Sequence, residues 1–376
     1  MKQNPHRKRS FWERYALKQL SSETNSQEEQ LAVLDEKEIA ELQRIQWQTY
    51  LKAGLAGALG VILLYLPYHI FGESLFPKRS FQVPYFGQKI ELEIEFLVFS
   101  VILVFIEIWY LTYVNIKSVT AIAKACGCPS QSDPRKEENK EALISVSLEK
   151  KQNELEQLGI NPYEGLSPWG VWTFQMLVRL KATISGFLWK LIVTKILGRY
   201  AFRLLVDLFG APLYAAFNIY AARKIMNEAR VRVMAPPLIR ELTQQLHEEF
   251  RNREDFRQVL YSALHAISVS KRSFHYNHFL LASSILDAFE IELEGDPEFD
   301  RKVLEHLDEL PEDVRFTIAK LIVFGILIDG KLSMIEKRSI RTMHKEGVLP
   351  YSEEQIEKWA KDFFKGKGLQ ELIEAK

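Results

Sequence analysis

Cysteine is scarce in this chain: its 376 residues hold two, Cys126 and Cys128, in a Cys-Gly-Cys triplet. A lone C-x-C supplies only half of a structural zinc site and no disulfide framework. Both are therefore expected to be ordinary reduced thiols, with acylation or redox pairing as the alternative. Net charge is missing too, since 49 basic residues balance 49 acidic ones, and this argues against a nucleic-acid binder working through bulk electrostatics. No Gly-rich phosphate loop, G-x-S-x-G elbow, H-E-x-x-H helix or paired-carboxylate motif with an evident role occurs. No catalytic residue is assigned on this basis and no cofactor is expected.

Apolar sequence, by contrast, is present in long runs. The windows 53–70 and 96–114 carry one carboxylate between them, Glu107, and no Lys or Arg. Each is long enough to cross the roughly 30 Å hydrocarbon core of a bilayer as a helix. At 26% charged residues overall, the rest is too polar for a pure transporter bundle. The expected fold class is an all-α membrane protein with two transmembrane helices, a membrane-associated helical hairpin and a C-terminal soluble helical domain. A small β-hairpin is expected in the non-cytosolic loop.

The expected organisation runs in five parts. Residues 1–49 form a cytosolic tail that is expected to stay attached, because no cleavable signal sequence precedes the first apolar run. Phe11, Trp12, Tyr15, Ala16 and Leu20 mark one face of a helix capped by Ser10, suited either to an anionic leaflet or to packing on a domain. Residues 50–116 hold the transmembrane hairpin. Small residues at Ala53, Ala56, Gly57 and Gly60 leave a strip where a second helix can come close, with Pro67 and His69 ending the span. Trp109, Tyr110 and Tyr113 read as an interfacial belt, and the period-two alternation of 89–95 reads as a strand. Residues 117–165 are a cytosolic linker, polar over 129–140, followed by a helix over 141–158. Residues 166–235 are membrane-associated: Lys195, Arg199, Arg203 and Asp207 recur every four residues on one helical face, and Gly210-Ala211-Pro212 reads as the turn of a hairpin. A full extra pair of spans is the alternative. Residues 236–376 form the soluble helical domain. Both termini are placed in the cytosol of an inner membrane.

Three polar groups stand out for membrane chemistry: Glu107 inside the second window, and Arg203 with Asp207. An intramembrane carboxylate is a functional candidate by default, although Glu107 is also close enough to one end to reach interfacial water. In the C-terminal domain His275 and His278 lie three apart, and Asp329-Gly330-Lys331-Leu332-Ser333-Met334-Ile335-Glu336 resembles half of a calcium loop. Gly325 and Leu327 would then fall at the first ligand positions without side-chain oxygens, so the calcium reading fails. Gly330 as a permissive turn residue, with Ser333 and Glu336 as a capping box, explains the same stretch. His275, His278, Asp329 and Glu336 are kept as weak metal candidates.

Residues 319–339 resemble the TerB-like fold, a tellurite-resistance-associated helical domain whose two similar halves carry Asp-Gly-x-hydrophobic-Ser-x-x-Glu turns. The counterpart half is 265–281, with Lys271, Arg272, Phe274, His275 and His278 at the turn. The resemblance covers about residues 250–345 and implies divalent-metal association through acidic turn residues; Lys271 and His278 depart from that pattern. Phe209-Gly210-Ala211-Pro212, Asn218, Arg223-Lys224-Ile225 and Ala229-Arg230 resemble the end of EcsC-like proteins over about 25 residues, which implies no chemistry. The expected function is a membrane protein whose partners are the bilayer and proteins docking on 236–376, in a non-catalytic scaffold or stress-associated role. A small transporter or channel subunit using Glu107, Arg203 and Asp207 is one alternative, and a metal-dependent protein is another.

Overall fold

The computed structural model describes residues 9–23, 33–82, 89–130, 133–149, 203–271, 275–291 and 309–375. The expected stripe positions Lys195 and Arg199, the turn residues Arg272 and Phe274, and the end of the 141–158 helix lie outside them. Among the described residues the fold is helical apart from two short strands: α1 (Phe11–Glu23), α2 (Glu36–Phe71), β1 (Arg79–Gln82), β2 (Lys89–Leu92), α3 (Ile94–Ala125), α4 (Lys136–Ser147), α5 (Arg203–Phe250), α6 (Glu254–Lys271), α7 (Tyr276–Ala288), α8 (Glu312–Leu327), α9 (Met334–Lys345), α10 (Glu353–Lys365) and α11 (Gln370–Ile373). The strands pair antiparallel with Arg79 opposite Leu92 and Gln82 opposite Lys89.

The chain divides into two compact units, one of residues 44–118 and 167–226, the other of residues 1–43, 119–166 and 227–376. In the first, α2 and α3 are long and apolar enough to cross a membrane. α2 starts at a reciprocal cap: Asp35 Oδ1 accepts from the Glu38 amide at 2.7 Å and Glu38 Oε2 accepts from the Asp35 amide at 2.8 Å. It runs through Pro67, beyond the expected stop, into a short 3₁₀ turn at Gly72. Leu51, Leu55, Leu59, Leu63, Leu66 and Ile70 point outward along one side of α2, and Leu97, Val101, Phe105 and Ile108 do so on α3. Tyr68, Phe76, Phe96 and Phe99 cluster where the two helices meet the strands.

The other unit has an ordinary interior, with Phe256, Phe324, Phe363, Leu143, Met234 and Leu238 among its fully buried side chains. α1 packs on α4, burying Ala16 and Leu20, and Arg9 pairs with Glu141 at 3.0 Å. Of the two expectations for this helix, domain packing is the one observed. Gly366, at φ +95°, closes α10 in the left-handed conformation.

Two expectations are corrected. The stretch 129–140 is not a solvated linker over its described residues. Lys136 begins α4, Asn139 and Lys140 are buried, and Asp133 accepts from the Arg135 amide at 2.9 Å and from Asn139 Nδ2 at 2.6 Å. Its polar residues are consumed by specific partners, Arg135 reaching Ser283 at 2.8 Å and the Asp287 carboxylate. The Gly210-Ala211-Pro212 hairpin turn is also absent, because α5 continues through it and through Pro236-Pro237 to Phe250. Proline forfeits one hydrogen bond in a helix interior, costing about 3 kcal/mol. The burial of Pro236, Pro237 and their apolar neighbours offsets that loss.

Candidate functional site

The end of α6 and the α8–α9 turn meet at a buried ionic cluster. Each group is placed by local backbone chemistry. After α8, Asp329 Oδ1 accepts from the Lys331 amide at 3.0 Å, and Gly330 adopts φ +68° with Val231 packed where a side chain would begin. Ser333 caps α9, and Glu336 returns its carboxylate to the Ser333 amide at 2.6 Å, completing the expected capping box. α6 ends at Lys271, whose side chain is fully buried. Its Nζ lies 2.8 Å from Asp329 Oδ1, 3.2 Å from Glu336 Oε1 and 3.0 Å from the Lys331 carbonyl oxygen. One ammonium thus bridges two carboxylates away from water, an arrangement that removing either sign would disrupt.

The α7 end adds His275 and His278. His275 caps α7, its Nδ1 accepting from the Asn277 amide at 3.1 Å, while its Nε2 lies 2.7 Å from Glu228 Oε1. Glu228, on α5, also meets Arg232 at 3.0 Å and Lys331 at 3.2 Å. Burial pushes the Glu228 carboxyl up, but His275, Lys331 and Arg232 outweigh it and hold the group well below the usual carboxylate range. Asp329 behaves alike: burial opposes ionisation and Lys271, His278 and His275 override it. His278 is fully buried, and that burial, with Lys271 and His275 against the opposing pull of Asp329, lowers its pKa to about 3. Asn277 ties the turns together, donating to the Ile328 carbonyl at 2.8 Å and the Val231 carbonyl at 3.3 Å.

The four metal candidates therefore gather around the same turns, but their donors do not suit a divalent ion. The Lys271 ammonium occupies the position facing both carboxylates. His275 is committed to Glu228, and among the described residues no group of three or more His, Cys, Asp or Glu side chains is arranged to hold a metal. Sequence reasoning missed Glu228 and Asn277, whose roles depend on α5 and α7 arriving from distant parts of the chain.

In the other unit, Glu107 Oε1 accepts from Asn218 Nδ2 at 2.6 Å. Glycines on α2 make room for this pair. A Cβ on Gly57 would lie 2.7 Å from the Tyr214 carbonyl oxygen and 2.8 Å from Asn218 Nδ2, and one on Gly60 would lie 3.3 Å from Glu107 Oε2. The small-residue strip is filled by both α3 and α5. Thr49 donates to Ser118 at 2.7 Å, a second polar link within the same unit. Arg203 and Asp207 lie in the first turns of α5, with their side chains outside the described residues. Cys126 and Cys128 are both buried, and burial, with Glu38 adding to it and Arg230 opposing, pushes the Cys126 thiol up to about 12, which leaves it a poor nucleophile.

No protein-family model matches the chain, and neither does any curated protein or solved structure.

Proposed function

We propose that this is a multi-pass inner-membrane protein, anchored by α2 and α3 with both termini in the cytosol, whose C-terminal helical domain acts by binding protein partners rather than by catalysis. The observation that carries the anchoring is the outward-facing apolar surface of α2 and α3. A helix buried in a soluble core hides such residues, whereas here Leu97 is 64% and Phe105 68% exposed. On this reading β1 and β2 belong to the non-cytosolic loop. The first half of α5, which exposes Tyr214, Phe217 and Tyr220, accompanies the spans in the bilayer.

The binding role rests on the ionic cluster. Lys271 closes the place where a TerB-like domain would offer acidic side chains to a cation, which leaves a rigid helical scaffold with its charges internally satisfied. Membranes from cells expressing the chain, washed with alkaline carbonate, test the anchoring: the protein is expected in the pellet, and its release would overturn the anchor. Reporters fused after residues 80, 135 and 376 are expected to place only the first outside the cytosol.

A second reading, a small transporter or channel subunit, is favoured by one observation, the Glu107–Asn218 hydrogen bond inside the helix bundle. Glu107→Gln keeps that hydrogen bond possible while removing the charge. A flux abolished by it would favour transport, and an unchanged flux would dispose of it.

A further inference from the structure

A second feature shares no residue with either site. In the unit that holds the C-terminal domain, α5, α7 and the segment entering α4 line a partly open cavity of about 280 Å³. One wall is a single face of α5, with Ile239, Thr243 and His247 stacked four residues apart. Leu280, Ser284 and Ala288 form the facing column on α7, again four apart. The lining is mostly apolar, yet two polar atoms buried against it have no partner among the described residues: Thr243 Oγ1 and His247 Nδ1. Thr243 is only 8% exposed, so its hydroxyl has no ready access to bulk water. Groups of this kind are normally satisfied, and two of them one helical turn apart on one cavity wall form an arrangement that awaits a ligand or a trapped water.

Four of the other polar residues at the cavity are already used. Asp133 accepts from the Arg135 amide and from Asn139, and Asn139 accepts from the Tyr276 hydroxyl at 2.8 Å. Arg135 is held by Glu138, Ser283 and Asp287. Gln244 donates to Glu248 at 2.9 Å. Arg240, at the exposed edge, is the remaining lining cation without such a tie among the described residues. The uncommitted set is therefore the Thr243 hydroxyl, the His247 imidazole nitrogen and the Arg240 guanidinium, with the half-buried Ser284 hydroxyl on the facing wall, beside an apolar floor.

We propose that this cavity is a binding site for a small monocarboxylate with an apolar, ring-sized body. The carboxylate oxygens accept hydrogen bonds from Thr243 Oγ1 and from His247 Nδ1–H and lie towards Arg240; the body rests on Ile239, Leu280 and Ala288. The volume sets the scale. A dry cavity of roughly 150 Å³ holds benzene, so this one has room for an aromatic ring with a short acidic arm. The neutral floor excludes polyanions such as nucleotides. The site is independent of the membrane reading, because every lining residue belongs to the other unit.

Phenylacetate titrated into the full-length protein in nanodiscs, followed by saturation-transfer NMR and calorimetry, tests the assignment without detergent competing for the cavity. Saturable binding with a Kd of about 1 mM or tighter is expected. Phenylacetamide, which keeps the ring and loses the charge, is expected to bind at least about tenfold more weakly, as is phenylacetate to Thr243→Val or Arg240→Gln. Ile239→Trp fills the floor and is expected to abolish binding; if that variant misfolds by circular dichroism, the two polar variants carry the test. Equal affinity for acid and amide, or affinity unchanged in both Thr243→Val and Arg240→Gln, would overturn the carboxylate assignment. No saturable binding would overturn the site.

Discussion

The two compact units solve the burial of polar groups in opposite settings. Around Lys271 the protein has an ordinary apolar interior into which an ionic cluster is placed, the Lys271 ammonium lying within hydrogen-bonding distance of both Asp329 and Glu336. Around Glu107 the apolar residues face outward, and the polar pair sits on the inside of the helices. The comparison shows that apolar composition alone does not define a core. In both units the polar groups are turned inward, but only around Lys271 are the apolar side chains turned inward with them.

The comparison breaks most visibly at Lys271. Lys271→Met removes the ammonium facing Asp329 and Glu336 and leaves two buried carboxylates without their ion pair. A loss of about 3–5 kcal/mol is expected, read from denaturant unfolding of the full chain, and acidification should partly restore it by protonating the stranded carboxylates.

The pH dependence of the same region comes next. His278 has a folded-state pKa of about 3 against an ordinary 6.5, so the folded state refuses a proton that the unfolded state accepts. Its contribution is fully present above about pH 6.5 and is lost as pH falls from there towards 3, on the order of a few kcal/mol in all. Glu228 and Asp329, also lowered, carry the same sign and add losses in the more acidic part of that range. Thermal midpoints of the full chain between pH 7 and 4 are expected to fall steadily. His278→Phe should flatten the upper part of that fall.

In the outward-apolar unit the corresponding test is Gly57→Leu. A side chain there meets the Tyr214 carbonyl and Asn218, so α2 and α5 must separate. A cost of roughly 1–3 kcal/mol is expected from overpacking. Proximity cross-linking between α2 and α5 should fall with it. Gly330→Ala, which places a side chain at φ +68° against Val231, is expected to cost about 1–2 kcal/mol. The smallest effect belongs to Arg341→Gln. Its partner Glu353 is held on the surface, where solvent screens the pair, so the melting midpoint should scarcely move.

How much of this was legible in the sequence follows from the range of each interaction. The two apolar helices were plain from composition, and the Ser333–Glu336 capping box from three-residue spacing. Both signals are local. The 129–140 stretch read as a linker because its residues are polar and Pro-bearing; it is structured because Ser283 and Asp287, far along the chain, receive Arg135. The break expected at Gly210-Ala211-Pro212 failed for a related reason. Propensity for a turn at proline is a weak prior that packing along a long helix overrides. The turn residues Lys271, His275, His278, Asp329 and Glu336 were all named in advance, yet the role of Lys271 as their shared cation was not. Nothing in a linear reading brings the end of α6 to the start of α9.

The central claim, that the outward faces of α2 and α3 contact lipid, is tested most directly by carbene photolabelling from within the bilayer, using a membrane-dissolved diazirine and mapping the labelled residues by mass spectrometry. Label is expected on the exposed stripe Leu55, Leu59 and Leu63 and on Leu97, Val101 and Phe105, and not on Phe256 or Phe324. Absence of label from both stripes, in a chain shown to be folded, would contradict the account.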